Sequence, residues 1–304
     1  MGLQRVQSGM NIMNAVQHVG VIGAGQMGLG IAQVMAAAGL RVTLQDISAA
    51  QLAKAVDMIA ASLAKQVASG AIAATKRDSA LALIGTTRDG AEAAACDLLI
   101  EAATEKEATK VAIFTALLPH LHPHTILATN TSSLSITRLA ACTDRSDRFI
   151  GAHFMNPVPR MQLVEVIRGL QTSEETYQTV LALVAKVGKT AVISEDYPAF
   201  IVNRVLIPMI NEAVYTLFEG VGGVLSIDRA MKLGANHPMG PFELADFIGL
   251  DTCLSIMNTL YMGLSDSKYR PCPLLVKYVE AGWLGRKAGK GFYDYSGAEP
   301  IPTR

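Results

Sequence analysis

The segment Gly23-Ala-Gly25-Gln-Met-Gly28 has the glycine spacing of a loop that cradles phosphate groups. Gly23 allows a sharp turn, Gly25 lets a pyrophosphate approach the backbone because it has no Cβ, and Gly28 allows close packing of helix on strand. Gln26 and Met27 would open the following helix, whose N–H groups and positive end attract phosphate. The preceding apolar run and the following helical pattern indicate a dinucleotide site, the alternative being a tight turn without a ligand.

Asp46 lies 18 residues past Gly28, at the end of the next predicted strand. This is close to the position of the acidic residue in dinucleotide-binding units. Its carboxylate can accept hydrogen bonds from a ribose hydroxyl and would repel a 2′-phosphate. The first cation after it is Lys54 and no Arg occurs in the next eight positions, so the sequence favours NAD over NADP. Alternatively, Asp46 caps the following helix, a role that Ser48 would serve equally.

Hydride transfer to or from a nicotinamide leaves a proton to be moved, and histidine is the natural base near neutral pH. Of the six histidines, only His153 ends a predicted strand beside a turn, where sites of α/β proteins cluster. His18 opens the first strand, and His237 precedes a proline. The other three lie in one loop: His120, His122 and His124. Because no acid or cysteine is adjacent to that trio, we interpret it as a solvated loop and predict no metal site.

His153 and Glu165 are twelve residues apart and equidistant from Pro159. If the two extended runs fold back around the turn-forming sequence NPVPR, these residues lie opposite each other and can touch. A carboxylate that binds one imidazole nitrogen fixes the tautomer and stabilises the charged ring. The sequence therefore predicts an acid–base pair. The alternative is a surface histidine with a solvated glutamate, or a register that separates the two.

The elements that must position these residues alternate between strands and helices, which predicts an α/β fold. Predicted strands are His18–Ile22, Arg41–Asp46, Asp97–Ala102, Thr125–Thr129, Arg148–Phe154, Gln162–Ile167 and Thr190–Ser194. Predicted helices between them are Gln26–Ala38, Ala49–Ser69, Glu105–Leu118 and Glu174–Val187. Crossover helices of this length indicate a Rossmann-type doubly wound, mostly parallel sheet with both faces covered.

The strand signal fades from about Tyr197 onward, and a second, all-helical C-terminal domain is predicted. Its expected helices are Phe200–Glu219, Ile227–Leu233, Pro241–Leu264 and Pro273–Ala281. We therefore expect residues 1–17 to form a flexible leader, 18–196 an NAD-binding domain, and 197–304 a helical substrate-binding and dimerisation domain.

Composition excludes several classes of protein. The chain has 304 residues, half of them hydrophobic, with 26 basic and 26 acidic side chains. This balance gives no electrostatic basis for nucleic-acid binding. No apolar run is long enough to span a bilayer, and the leader lacks the apolar core of a secretory signal. The four cysteines have neither disulfide-scaffold nor metal-knuckle spacing, which favours a reducing cytoplasm.

Six motifs in order resemble the 3-hydroxyacyl-CoA dehydrogenase family, closest to its bacterial short-chain 3-hydroxybutyryl-CoA members. They are Asn130-Thr-Ser-Ser133, His153-Phe-Met-Asn-Pro-Val-Pro159, Leu163-Val-Glu-Val-Ile167, Phe200-Ile-Val-Asn203-Arg, Met239-Gly-Pro-Phe-Glu-Leu244 and Gly289-Lys-Gly-Phe-Tyr293. The resemblance covers roughly Val19 to Tyr295, and several matches in sequence are more specific than any one alone.

The resemblance implies a role for each matching residue. His153 would be the general acid/base at the 3-hydroxyl or 3-keto group, and Glu165 would orient it and stabilise its charge. Ser132 would hydrogen-bond the substrate oxygen near the nicotinamide, and Asn203 would help to fix the substrate geometry. The family also implies an acyl-CoA substrate and a homodimer formed through the helical domain, with the active site in a cleft between the domains.

Glu105 and Lys110 match positions that line the family's cofactor site, although the two side chains could equally form a solvated pair on one helix. Ser132 could be a turn or cap residue, with Ser133 and Ser135 as rivals. Asn203 alone would be read as a polar residue on a helix face. Three basic residues near the C-terminus could draw phosphate but are more typical of a solvated tail: Arg286, Lys287 and Lys290.

The sequence also departs from the family pattern. Ala199 stands where the family usually has a glycine, and a backbone that needs positive φ there would be strained. Arg160 replaces an apolar residue. Ser69 stands where a basic residue often faces the CoA phosphates, so Lys65 or Lys76 would have to substitute.

These observations predict an NAD-dependent (S)-3-hydroxyacyl-CoA dehydrogenase that favours short acyl chains. One alternative is a related dehydrogenase of the gulonate or crystallin type, which would act on a free hydroxy acid. Another is a non-catalytic NAD-binding regulatory protein, against which the presence of both His153 and Glu165 argues.

Overall fold

The computed structural model describes residues 16–304. Contacts divide the chain into one unit that ends at Tyr197 and a second unit, Pro198–Arg304. Each unit has its own hydrophobic core, the first built from strands and covering helices and the second from helices.

The predicted leader, residues 1–17, lies outside the described residues except for its last two. Val16 is buried in the core of the first unit. The backbone N–H of Gln17 donates to Asp97 Oδ2 at 2.9 Å. These two residues therefore belong to the fold of the first unit.

A single sheet crosses the first unit. Its strands are β1 (His18–Ile22), β2 (Arg41–Gln45), β3 (Ile84–Thr87), β4 (Leu98–Glu101), β5 (Ile126–Thr129), β6 (Phe149–Phe154), β7 (Leu163–Arg168) and β8 (Thr190–Glu195). Within residues 16–304 the sheet has eight strands in the order β3-β2-β1-β4-β5-β6-β7-β8. All neighbours pair in parallel except β6 and β7, which are antiparallel. This confirms the predicted Rossmann-type, mostly parallel sheet.

The helices of the first unit are α1 (Gln26–Ala37), α2 (Ala49–Ala68), α3 (Ala74–Ala82), α4 (Gly90–Ala94), α5 (Glu107–Leu117), α6 (Ile136–Ala140) and α7 (Glu174–Lys186), with 3₁₀ turns at Leu118–His120 and Ser146–Arg148. The four predicted helices are confirmed to within two residues at each end. The hydroxyls of Ser48 and Ser173 cap α2 and α7. Because α5 begins at Glu107, Glu105 lies in the preceding loop and not on the helix.

Four elements of the first unit were not predicted. Strand β3 is a sheet edge of sequence IGTT, in which Gly85 and Thr86 are exposed, so it lacks an apolar pattern. Helix α3 is short and polar and leaves only Ala80 buried. Helices α4 and α6 have five residues each, which is too short for a helical period to be recognised.

The second unit is helical, as predicted. Its helices are α8 (Val202–Phe218), α9 (Val224–Gly234), α10 (Pro241–Ile248), α11 (Leu250–Leu264) and α12 (Pro273–Glu280), with 3₁₀ turns at Ser267–Tyr269 and Arg286–Ala288. Two strands of two residues, β9 (Tyr293–Asp294) and β10 (Ile301–Pro302), pair near the C-terminus and were not predicted.

The prediction of one continuous helix over Pro241–Leu264 is wrong. Gly249 has a φ of +102°, which ends α10 and starts α11 after a bend of 95°. In the described part of the chain, no single helix has the length and apolar composition of a membrane crossing. Only this bent pair meets that test, by length and composition, when its two helices are counted together.

Two buried carboxylates anchor the C-terminal segment to the helices. Asp228 accepts hydrogen bonds from the Phe242 N–H and the Tyr293 hydroxyl, and Asp246 accepts from the N–H groups of Phe292 and Tyr293. Burial raises the pKa of both carboxyls. Two of the motifs that carried the resemblance therefore serve the packing of this unit.

The departure at Ala199 has the predicted conformational consequence. Ala199 has a φ of +63° and the next residue, Phe200, a φ of +54°. Left-handed backbone costs about 1 kcal/mol or more for a residue with a side chain. Both residues are buried, and Ala199 packs in the core of the second unit directly before α8.

Candidate active site

Strands β6 and β7 place His153 and Glu165 directly opposite each other. Glu165 Oε2 lies 2.7 Å from His153 Nδ1. The His153 side chain is 9% exposed and the Glu165 side chain is fully buried. The predicted cross-strand pairing is confirmed, and the alternative register that would separate the two residues is wrong.

This pairing decides which ring nitrogen can exchange a proton. A carboxylate acceptor at Nδ1 holds the proton of the neutral ring on that nitrogen and stabilises the imidazolium when a second proton is gained. Nε2 is then the ring nitrogen at which we expect proton exchange. Because Glu165 is removed from water, its charge acts on the ring with little screening.

Glu105 organises the loop that follows β5. Its Oε1 accepts hydrogen bonds from the Thr131 hydroxyl (2.7 Å), from the backbone N–H and the hydroxyl of Ser132 (2.8 and 2.9 Å), and from the Ser133 hydroxyl (3.2 Å). One carboxylate therefore fixes both the backbone and the side chain of Ser132. The rival Ser135 is a helix cap, since its hydroxyl accepts from the first turn of α6.

Lys110 is buried beneath this loop. Its Nζ lies 2.5 Å from Glu101 Oε2 and 3.3 Å from the Thr129 hydroxyl, and 3.9 Å from Glu105 Oε2. The ammonium is 1% exposed and Glu101 is fully buried. The alternative of a solvated Glu105–Lys110 pair is therefore wrong, while the role of the two residues at a cofactor remains a prediction.

The glycine loop joins β1 to α1. Gly23 has a φ of +95°, and a Cβ on Gly28 would lie 1.7 Å from the Gly23 carbonyl oxygen. Within the described residues, a Cβ on Gly25 would meet no atom within 4 Å. Gly23 and Gly28 are thus required by the fold, whereas Gly25 borders open space, as the predicted approach of a pyrophosphate to the backbone requires.

Helix α1 presents its N-terminus to the same space. Gly25 is its N-cap, and in the described structure no side chain caps the first turn, which holds Gln26 and Met27. Uncapped N–H groups at a helix N-terminus suit a phosphate ligand. Gln26 Nε2 donates to Asn156 Oδ1 at 3.0 Å. This hydrogen bond ties the glycine loop to the turn that follows His153.

Asp46 follows β2 and contacts the glycine loop. Its Oδ2 accepts from the Ala24 N–H and its Oδ1 from the Ser48 N–H, both at 2.9 Å. The Ser48 hydroxyl caps α2, so the alternative that Asp46 is this helix cap is wrong. A carboxylate has about four acceptor positions, so capacity remains for ribose hydroxyls.

The remaining candidates lie on other elements. Asn203 lies in the first turn of α8, in the second unit. In the histidine loop, the rings of His122 and His124 stack, and His124 Nε2 lies 3.5 Å from Asp97. Over residues 16–304, no group of three or more His, Cys, Asp or Glu side chains is arranged to hold a metal ion.

The basic residues near the C-terminus are partnered within the second unit. Lys287 forms an ion pair with Asp251 at 2.6 Å, and Lys290 lies 3.6 Å from Asp294. Arg286 lies over the rings of Phe247 and Tyr295. Arg286 and Lys287 are exposed and Lys290 is partly exposed, so the interpretation as solvated basic residues agrees with the structure.

Sequence reasoning missed several supporting residues. Glu101 and Thr129 end adjacent strands and meet only because β4 and β5 pair. Asn130 accepts a hydrogen bond from the Phe154 N–H and so joins β5 to the end of β6. A polar residue at the carboxyl end of each buried strand was the available signal, since ligands of α/β sheets bind at this edge.

Comparison with known proteins gives the family. The family model described as "3-hydroxyacyl-CoA dehydrogenase, NAD binding domain" matches residues 18–197. The model described as "3-hydroxyacyl-CoA dehydrogenase, C-terminal domain" matches residues 200–295. A 3-hydroxybutyryl-CoA dehydrogenase of Bradyrhizobium diazoefficiens is 61% identical over 289 residues, covering 95% of this chain and 99% of the relative. The mitochondrial hydroxyacyl-coenzyme A dehydrogenase of Homo sapiens is 43% identical, covering 92% and 91%.

A solved structure is similar over nearly the same length. The (S)-3-hydroxybutyryl-CoA dehydrogenase PaaH1 from Ralstonia eutropha superimposes with a TM-score of 0.90 at 49% identity, covering 93% of this chain and all of that one. The fold and these matches define an NAD-dependent oxidoreductase. More specifically, the chain belongs to the 3-hydroxyacyl-CoA dehydrogenase family.

Proposed function

We propose that the chain interconverts (S)-3-hydroxyacyl-CoA and 3-oxoacyl-CoA with NAD, preferring the short-chain pair 3-hydroxybutyryl-CoA and acetoacetyl-CoA. The observation that carries the proposal is the His153–Glu165 pair, whose strand runs into a turn that is hydrogen-bonded to the glycine loop through Gln26 and Asn156. A proton-transfer group and a dinucleotide loop are thus held at one sheet edge. The substrate class follows the relatives named above.

In the oxidation direction, His153 Nε2 removes the proton of the 3-hydroxyl group. The chemistry that bound NAD would supply is an acceptor for the hydride that leaves C3. Glu165 accepts the Nδ1 hydrogen bond and stabilises the imidazolium that results. In reduction, His153 acts as the acid and returns the proton to the oxygen.

Ser132 is proposed to hydrogen-bond the same substrate oxygen. Its hydroxyl now donates to Glu105, so donation to the substrate requires rotation of that hydroxyl. Its backbone N–H stays held by Glu105, which keeps the loop in place during the rotation. We propose that Asn203 completes the substrate contacts from the second unit, and that Lys110 acts through Glu101 and Glu105 rather than by reaching the cofactor itself.

The direct test is a rate series in which NADH consumption is followed with 3-oxoacyl-CoA substrates of increasing chain length. We expect the highest kcat/KM with acetoacetyl-CoA and a fall as the acyl chain lengthens. The control is a free hydroxy acid of the gulonate type with NAD. Faster turnover of the free acid would establish the alternative dehydrogenase, and no NADH consumption with either would overturn the proposal.

Preference for NAD over NADP is expected to depend on Asp46. In Asp46→Arg, a cation replaces the carboxylate that repels a 2′-phosphate, so the ratio of kcat/KM for NADH to that for NADPH should fall by about 10²-fold. Asp46→Asn is the matched variant, which removes the repulsion without adding a cation, and should shift the ratio less. An unchanged ratio in Asp46→Arg would show that this side chain does not face the ribose.

We also propose a cytoplasmic homodimer formed through the second unit. Large apolar side chains of that unit are exposed in the single chain: Val205, Phe218, Val221, Leu225, Leu233 and Met262. Exposed apolar surface of this kind marks interaction sites. Light scattering on the purified chain should give twice 32.2 kDa, and a monomer mass would contradict the proposal.

A further inference from the structure

The glycine loop and the start of α2 are joined by a closed ring of four hydrogen bonds. Asp46 Oδ2 accepts from the Ala24 N–H and Asp46 Oδ1 from the Ser48 N–H, both at 2.9 Å. The Ser48 hydroxyl accepts from the Gln51 N–H at 3.2 Å. The Gln51 side chain closes the ring, because its Nε2 donates to the Ala24 carbonyl at 2.8 Å. Asp46 and Gln51 therefore hold the two backbone groups of one residue of the glycine loop.

The Gln51 side chain reaches the loop because another residue takes its usual place at a helix start. Ser48-Ala-Ala-Gln51 has the spacing of a capping box, in which the glutamine side chain binds the backbone N–H of the cap residue. Here Asp46 accepts from the Ser48 N–H, and the Gln51 amide donates to Ala24 instead. The amide therefore serves the glycine loop and not the start of α2.

This contact fixes the direction of one peptide group in the loop. The Ala24–Gly25 peptide bond is trans. The carbonyl and the N–H of a trans peptide point in opposite directions. Because the Ala24 carbonyl points to Gln51 on α2, the Gly25 N–H points away from that helix. A Cβ on Gly25 would meet no described atom within 4 Å, so the loop is open at this residue.

The Gly25 N–H is one of a set of available donors. In the part of the chain that the structure describes, the N–H groups of Gly25, Gln26 and Met27 have no acceptor, and no side chain caps the first turn of α1. Donors of this kind at the positive end of a helix suit a phosphate ligand. The orientation of the first of these donors depends on the contact that Gln51 makes.

We propose that Gln51 is a positioning residue for the cofactor: by holding the Ala24 carbonyl, its amide keeps the Gly25 N–H available to the pyrophosphate of NAD. Gln51 acts through the loop and does not contact the pyrophosphate itself. The inference rests on NAD binding at the glycine loop and is independent of the acyl-CoA substrate. Its effect is therefore expected in cofactor binding and not in the chemical step.

The test compares the full chain with its Gln51→Met variant, which keeps the length of the side chain and loses the donor. The backbone N–H of residue 51 is kept, so Ser48 still caps α2. Calorimetry measures the Kd of NADH and of ADP-ribose, which carries the pyrophosphate but no nicotinamide. We expect both Kd values to rise about 3- to 10-fold, the effect of one hydrogen bond. Adenosine, which has no pyrophosphate and is measured by its displacement of NADH, should bind both proteins equally.

Steady-state kinetics gives a second readout. In Gln51→Met, the KM for NADH should rise while kcat at saturating NADH is unchanged, because the lost interaction is the same in the ground state and the transition state. A folding defect would instead lower kcat and the melting temperature together. Gln66→Met is the matched control, since it makes the same replacement near the other end of α2. It should leave the three binding constants and the KM for NADH unchanged.

Four results would overturn the inference. Unchanged ADP-ribose binding in Gln51→Met would show that the amide has no effect on the pyrophosphate donors. Equal weakening of adenosine would show that Gln51 contacts the nucleoside directly. Equal weakening in Gln66→Met would show a general effect of α2, and absence of ADP-ribose binding to the unmodified chain would remove the site itself. If that chain binds NADH but does not oxidise it with acetoacetyl-CoA, only the proposed function fails.

Discussion

Replacing His153 by glutamine is expected to lower kcat by about 10²- to 10⁴-fold in both directions, the range that general acid–base catalysis contributes. Glutamine has nearly the reach of the imidazole and can still donate to Glu165, but it cannot take up or release a proton near neutral pH. The hydrogen-bonded hairpin of β6 and β7 should therefore persist. The measurement is steady-state turnover of acetoacetyl-CoA with NADH.

NADH binding, followed by its fluorescence, should change little in this variant, because the glycine loop and Asp46 are untouched. His120→Gln is a matched control, since His120 is exposed in the loop after α5, and should keep normal turnover. Normal turnover in His153→Gln would contradict the proposed acid–base role of His153. Loss of NADH binding together with turnover would instead indicate that His153 supports the loop structure.

Lys110→Met is expected to lower the free energy of unfolding by about 3–5 kcal/mol, the usual cost of leaving one partner of a buried ion pair uncompensated. Glu101 is fully buried and would lose the only ammonium that neutralises it at hydrogen-bond distance in the described structure. Methionine matches the lysine stem in length, so lost packing contributes little. Urea unfolding at neutral pH measures the change.

The double variant Lys110→Met with Glu101→Gln separates charge from packing. The amide oxygen of glutamine can still accept from the Ala103 N–H, as Glu101 Oε1 does. Because no charge is then buried, much of the lost stability should return. A double variant as unstable as the single one would show that the lysine matters through packing and not through its charge.

The features that were predictable from sequence are those set by local periodicity. The apolar run before the glycine loop, the possible cap at Ser48 and the equal spacing of His153 and Glu165 about Pro159 each depend on a few neighbouring residues. The pairing of His153 with Glu165 followed because a hairpin fixes its own register. These features were sufficient to predict the sheet, the main helices and the acid–base pair.

The features that were missed depend on tertiary contacts. Lys110 was open to interpretation as a surface residue because its spacing from Glu105 is also typical of a solvated pair. Only the pairing of β4 with β5 brings Glu101 and Thr129 to its ammonium. The break at Gly249 was missed because the apolar pattern continues on both sides of it. Strand β3 was missed because its residues have no strand pattern, and it forms by pairing with β2.

The antiparallel pairing of β6 with β7 has a consequence for folding kinetics. Only eleven residues separate His153 from Glu165 along the chain, whereas 26 separate Glu105 from Ser132. Closure of a short loop carries the smaller entropy cost, and contacts of low sequence separation form fast. The proton-transfer pair can therefore assemble as a local hairpin, before the slower long-range pairing that brings Glu105 to the serine loop.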